Sequence, residues 1–286
     1  LDDLLLCAAG FNSLVYDFYV KSTGKGHFLN DLASLLPVLD GKYSIKLKCR
    51  ILGLCSQSYN YKDLWDRSFS SDFLKETWAK VNDSRISTEY YTNLTASWSR
   101  DCSLRTDYSR RMALVEIDVL VALTLGLTLD ELKKIYVIQF AVMRQYEKQT
   151  YYDMRGRTVF TSKKGAGGIT RPQFEKQTLV QLERDEIEVV MDNLDKFTCI
   201  KDMEEGYVEH WVEDDTMPDF RKGYATYRTQ DGTVFEGPNM EFPGPIEGPV
   251  HRRVRYYAPF ERANREKDYE IAWKFFENQP KEAETS

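Results

Sequence analysis

Met112-Ala-Leu-Val-Glu-Ile-Asp-Val-Leu-Val-Ala-Leu-Thr-Leu125 is the stretch on which the fold turns. Glu116, Asp118 and Thr124 are its only polar residues, so a helix here is apolar on nearly every side and has to lie at the centre of its domain. Glu116 and Asp118 then become buried carboxylates. An unpaired buried carboxylate is costly, so each needs a hydrogen bond or a basic partner, for which Arg110 and Arg111 stand nearest in sequence. Gly126 closes this helix. Thr128-Leu-Asp-Glu131 opens the next as a capping box, Thr128 accepting from the third amide while Glu131 reaches back.

Working outward, the rest of the first half also reads as helix. Apolar groups recur at helical spacing from Leu4 to Tyr19, and Gly24 and Gly26 stop that run. Residues 43 to 80 are helical in pieces, with Trp65, Phe69, Phe73 and Trp78 making the stripe that a core-facing helix needs. After Thr150 the pattern changes. Tyr151-Tyr152-Asp153 and Thr158-Val159-Phe160 flank a glycine-bearing turn, and residues 206–212, 223–229, 232–235 and 250–258 carry Tyr, Val and Thr in strand proportions. Pro259 ends the last strand, and Tyr269, Ile271, Ala272, Trp273, Phe275 and Phe276 mark a final amphipathic helix. The expected class is α+β: a helical first half, a β-rich second half and a C-terminal helix.

Composition removes several function classes. With 286 residues, 42 % of them hydrophobic, the chain can fill a core, and its mean hydropathy of −0.52 excludes an integral helical membrane protein. Five cysteines without a CxxC fit neither a disulfide framework nor a zinc knuckle, and point to reduced thiols in a cytoplasm. The chain opens on Leu1, with Asp2 and Asp3 where a leader needs positive charge, as expected of a piece of a longer protein. A net charge of −6 argues against a polycation that binds by electrostatics alone. Local clusters remain: four basic residues and no acid from Gly41 to Arg50, and Arg155, Arg157, Lys163, Lys164 and Arg171 with no acid from 155 to 172. By contrast, residues 183–219 hold fourteen acids and three bases, and are expected to face away from any polyanion.

Catalytic signatures are sparse. The sequence has no GxxxxGK[ST] phosphate loop, HExxH, GxSxG or paired Cys-His spacing, and His27, His210 and His251 lie far apart in the chain. Gly165-Ala-Gly-Gly168 reads as part of a flexible basic loop rather than as a phosphate cradle. Asp118 with Glu131-Leu-Lys133 matches a nuclease-like metal string, but Glu131 is already accounted for as a helix cap and Asp118 by its place within a helix.

Two stretches resemble a known family. Gly10-Phe-Asn-Ser-Leu-Val-Tyr-Asp-Phe-Tyr19, a basic glycine-containing turn, Phe28-Leu-Asn30 and Leu35-Leu-Pro-Val38 resemble the closing segment of the target recognition domain of Taq-type N6-adenine DNA methyltransferases. Arg110 to Leu120, with Leu125-Gly-Leu-Thr-Leu-Asp-Glu-Leu132, is similar to the helical pair that follows this domain in large single-chain restriction-modification and phage-defence enzymes. The resemblance covers about a quarter of the chain and implies three parts: the end of a recognition domain (1–40), a helical domain (41–150) and a β-rich C-terminal extension (151–286). It implies double-stranded DNA and an N-terminal methyltransferase domain of the same protein as partners, and no membrane. The AdoMet motif and the Asn-Pro-Pro-Tyr-type tetrapeptide that holds a flipped adenine do not occur here, so S-adenosyl-L-methionine is expected to bind the full-length enzyme and not this portion. The expected DNA contacts are Lys21, Lys25, His27 and Asn30 in the recognition segment and Arg155, Arg157, Lys163, Lys164 and Arg171 in the basic loop, with no catalytic or metal-binding residue. Whether the full enzyme also cleaves DNA stays open. The competing expectation is a scaffold domain that docks other parts of the same protein without touching DNA.

Overall fold

A computed structural model of the chain describes residues 2–24, 30–159, 168–214, 225–228, 232–237 and 250–279. In chain order the elements are α1 (Asp2–Phe11), α2 (Leu14–Ser22), α3 (Asn30–Ala33), α4 (Ser44–Cys55), α5 (Lys62–Ser68), α6 (Asp107–Thr124), α7 (Leu129–Gln139) and α8 (Ala141–Gln149). Then follow β1 (Tyr151–Tyr152), α9 (Arg171–Lys176), α10 (Leu179–Arg184), β2 (Ile187–Val190), β3 (Tyr207–Asp214), β4 (Ala225–Arg228), β5 (Val234–Gly237), β6 (Val250–Tyr257), β7 (Glu261–Arg262) and α11 (Arg265–Glu277). The class is α+β, with helices in the first half, small antiparallel sheets in the second and a C-terminal helix. No helix among the described residues is long and apolar enough to cross a membrane.

The chain divides into two compact units, residues 1–149 with 263–286, and residues 150–262. This grouping differs from the three sequence segments. Residues 1–40 and 41–149 share one core, and α11 belongs to that core rather than to the β-rich part. The reason lies in α6, whose apolar surface is too broad for one neighbour: α4, α7 and α11 all pack on it, and α11 contributes the buried side chains Tyr269, Ala272, Trp273 and Phe276.

The two carboxylates of α6 are paired, but not with Arg110 or Arg111. Glu116 accepts from Arg50 Nε (2.6 Å) and from the Ala79 amide (2.7 Å). Asp118 accepts from Arg265 Nη1 (2.8 Å), the Tyr269 hydroxyl (2.7 Å) and the Leu14 amide (2.7 Å). Arg110 and Arg111 lie five to eight residues from these carboxylates, outside the three- and four-residue spacing at which side chains meet on a helix. Instead Arg110 donates to the Leu54 and Leu104 carbonyls, and Arg111 binds Glu147 (2.9 Å) and Asp268 (2.7 Å). Burial pushes the Glu116 and Asp118 carboxyls above their usual range, and Arg50 and Arg265 respectively pull them back.

The second unit is built on a five-stranded antiparallel sheet ordered β2-β3-β6-β4-β5, beside a two-stranded ribbon β1-β7. Alternation along the strands puts Val208 of β3 and Val254 and Tyr256 of β6 in a core with Ile187, Phe174 and Leu182, the last two supplied by α9 and α10. The turn after β1 is organised by buried Asp153, whose Oδ1 accepts from the Arg155 amide (3.0 Å) and the Arg157 amide (2.8 Å). Gly156, at φ +76°, supplies the left-handed residue that this turn requires.

Candidate nucleic-acid interface

The two positive clusters of the sequence end up in different roles. Within residues 41–50, Lys46 and Arg50 are buried in the first unit, paired with Glu76 at 2.9 and 2.8 Å, and Lys48 pairs with Asp2. Helix α4 turns Lys46 and Arg50 inward, so these two belong to a structural network, while Lys42, ahead of the helix, lies over the Tyr43 ring.

The individual candidates fare unevenly. Lys21, in the last turn of α2, pairs with Asp17 (2.7 Å) and lies over the Phe140 ring. Asn30 is exposed and opens α3. Arg171 is the first residue of α9 and pairs with Glu175 at 2.7 Å. Arg157 donates to Asp153 through Nε (3.1 Å) and Nη2 (2.7 Å), and Nη2 also donates to the Arg255 carbonyl, so it fastens the turn to β6. Lys25, His27, Lys163 and Lys164 lie outside the described residues. Among those described, Arg155 stands apart: it is exposed, and its guanidinium lies 3.9 Å from the centre of the Tyr257 ring.

Arg155 belongs to a larger arrangement that the sequence reading missed. Tyr257 is the register partner of Tyr207, and their rings stand 5.7 Å apart at 47°. On the Tyr207 ring rests Arg255, at 4.9 Å. The order Arg155, Tyr257, Tyr207, Arg255 is therefore a continuous cation–aromatic ladder on the face of the sheet opposite the core. Glu209, next but one to Tyr207 on β3, accepts from Arg255 Nε, and Arg253 Nε approaches it at 3.7 Å. Glu209 and the Tyr257 hydroxyl hold Arg255 firmly in its charged form. The signal was present in Arg253-Val-Arg255-Tyr-Tyr257, where alternate residues place two arginines and a tyrosine on one face. What was not legible was their partner strand. It comes from the acidic segment 183–219, expected to face away from polyanions, and brings Tyr207 together with Glu209.

Three acids of that segment, Glu183, Glu186 and Glu188, gather at β2. A cavity of about 560 Å³ there is lined by Glu183, Glu186 and Glu188 with Leu179, Leu194 and Trp211, and would repel a phosphate. Neither carboxylate of the nuclease-like string is available to a metal: Asp118 is consumed by Arg265, Tyr269 and Leu14, and Glu131 caps α7 through Thr128. Among the described residues no three His, Cys, Asp or Glu groups are placed to hold a metal ion, and the five cysteines are free thiols. No protein-family model matches the chain, and no curated protein or solved structure matches it either.

Proposed function

We propose that this chain is the C-terminal, DNA-binding portion of an AdoMet-dependent N6-adenine DNA methyltransferase of the restriction-modification or phage-defence kind, acting in the cytoplasm. Adenine flipping and methyl transfer would fall to a domain upstream of it in the same protein, where S-adenosyl-L-methionine would bind. The observation that supports this reading is the joint between the two stretches that carry the family resemblance. Ser13, the Ser of the Asn-Ser helix start, caps α2 by accepting from the Tyr16 amide. The Tyr16 hydroxyl donates to the Pro37 carbonyl, joining that helix start to the Leu-Pro end of the same motif. The Leu14 amide then donates to Asp118 in α6, so the recognition-type segment seats directly on the helical pair. Two motifs that follow one another in the family would thus form one folded piece here.

The local pairing of Lys21, Arg157 and Arg171 with acids favours a second reading, in which the chain is a scaffold that docks the rest of the protein and leaves DNA untouched. Binding of the chain to a duplex, measured by fluorescence anisotropy over a salt series, separates the two. The DNA-binding reading expects association at low salt that weakens linearly in log salt, and no heat of AdoMet binding by calorimetry. Absence of duplex binding at low salt would leave the scaffold, and AdoMet binding at micromolar concentration would overturn the placement within the family.

A further inference from the structure

We infer that the Arg155–Tyr257–Tyr207–Arg255 ladder is a binding site for the phosphodiester backbone of DNA, one that holds the strand without reading its sequence. The inference rests on the DNA-binding reading above and names the residues that would make the contact.

Three features of the ladder point to phosphate. Each ring already carries a guanidinium, Arg155 on Tyr257 and Arg255 on Tyr207, and the two rings meet at 47° between them, so a base would find a cation in place on each aromatic. What the face presents is guanidinium groups, exposed at Arg155 and partly exposed at Arg255, whose paired N–H donors match the oxygens of a phosphate. Contact with the rings also restrains these side chains in advance, so less side-chain entropy is lost when an anion arrives. Arg155 carries its charge unopposed: its guanidinium makes no ion pair among the described residues, since Asp153 spends its oxygens on the turn amides and on Arg157. At the other end Glu209 lies buried beneath Arg253 and Arg255 and offsets one positive charge. Glu188, the register partner of Glu209 on β2, bounds the site on that side. A strand of phosphates is therefore placed along β6 and the turn at Arg155, away from β2.

The test compares the intact chain with Arg155→Ala, Arg255→Ala and Glu209→Gln on duplexes of several unrelated sequences and on their single strands, each over a salt series. Loss of one phosphate contact in either arginine variant should weaken binding alike on every duplex and flatten the log-affinity against log-salt slope by about one. Glu209→Gln should act in the opposite sense, tightening binding and steepening the slope, because it removes the charge that opposes Arg253 and Arg255. A residue that merely held the sheet together would not tighten binding when neutralised. Unchanged affinity and slope in both arginine variants, on DNA that the unaltered chain binds, would overturn the ladder as a site and leave the DNA-binding reading standing. A loss confined to particular sequences would overturn it too, as base readout, whereas failure of the unaltered chain to bind any duplex would overturn the reading on which it rests. Binding to single strands with the same proportional losses is expected of a backbone contact, and losses on duplex alone would overturn the sequence- and strand-independent character inferred.

Discussion

Arg50 shows how far one residue's role departs from its charge. Fully buried on α4, it donates to Glu116, to Glu76 and to the Lys46 and Thr77 carbonyls, so that each of its three side-chain nitrogens finds a partner. Removing it leaves Glu116 and Glu76 buried beside a lone Lys46. Arg50→Met is accordingly expected to cost about 3–5 kcal/mol in urea unfolding. His210 of β3 illustrates the reverse case, a titratable group kept neutral. Burial, with the Arg252 charge adding to it, lowers its pKa from 6.5 to about 4. Between those values the unfolded chain binds the proton and the folded one does not, so stability is whole above pH 6.5 and falls as pH drops toward 4. The loss should reach at most about 3 kcal/mol. Hydrogen exchange of the β3 amides, compared between the chain and His210→Leu, should show this slope in the former and lose it in the latter.

At the scale of elements, local chemistry and tertiary packing divide the work. The boundary between α6 and α7 follows from three residues: Gly126 at φ +72°, Thr128 accepting from the Glu131 amide, and Glu131 receiving the Thr128 amide at 2.8 Å. All of this lies within one turn of chain, so it was legible in the sequence. Thr128→Ala should destabilise the first unit by about 1 kcal/mol in thermal or urea unfolding, since only the cap is lost. A cost near zero would mean that packing of Leu132 and Tyr136 alone holds α7 in place. The short helices α9 and α10 and the strand β2 were not read from the sequence. Two helices of six residues and a strand of four are too brief for periodicity to emerge, and they stand only because Phe174, Leu182 and Ile187 enter a shared core.

At the scale of the whole molecule, α11 carries the largest lesson. Its sequence marks it as amphipathic, but nothing in it names the surface that it covers. Arg265 reaches Asp118 and Glu147, and Asp268 receives Arg111 and Lys80, so the helix supplies both charges and apolar bulk to a core begun some 150 residues earlier. Ending the chain after Arg262 should therefore unfold the first unit, with loss of amide protection in α6, while β2, β3 and β6 stay protected. Retained protection in α6 would show that the helical core closes without α11. By itself the sequence determined what rests on short-range periodicity and capping: a central apolar helix, its capped successor, the change from helix to strand after Thr150, and the need of Glu116 and Asp118 for partners. Only the tertiary structure decided who those partners are, which positive residues are spent inside the fold, and which strand meets β6 to bring Tyr207 beside Tyr257. Such pairings join residues tens to more than a hundred positions apart, where a sequence shows the demand of each group but not the neighbour that chain closure delivers to it.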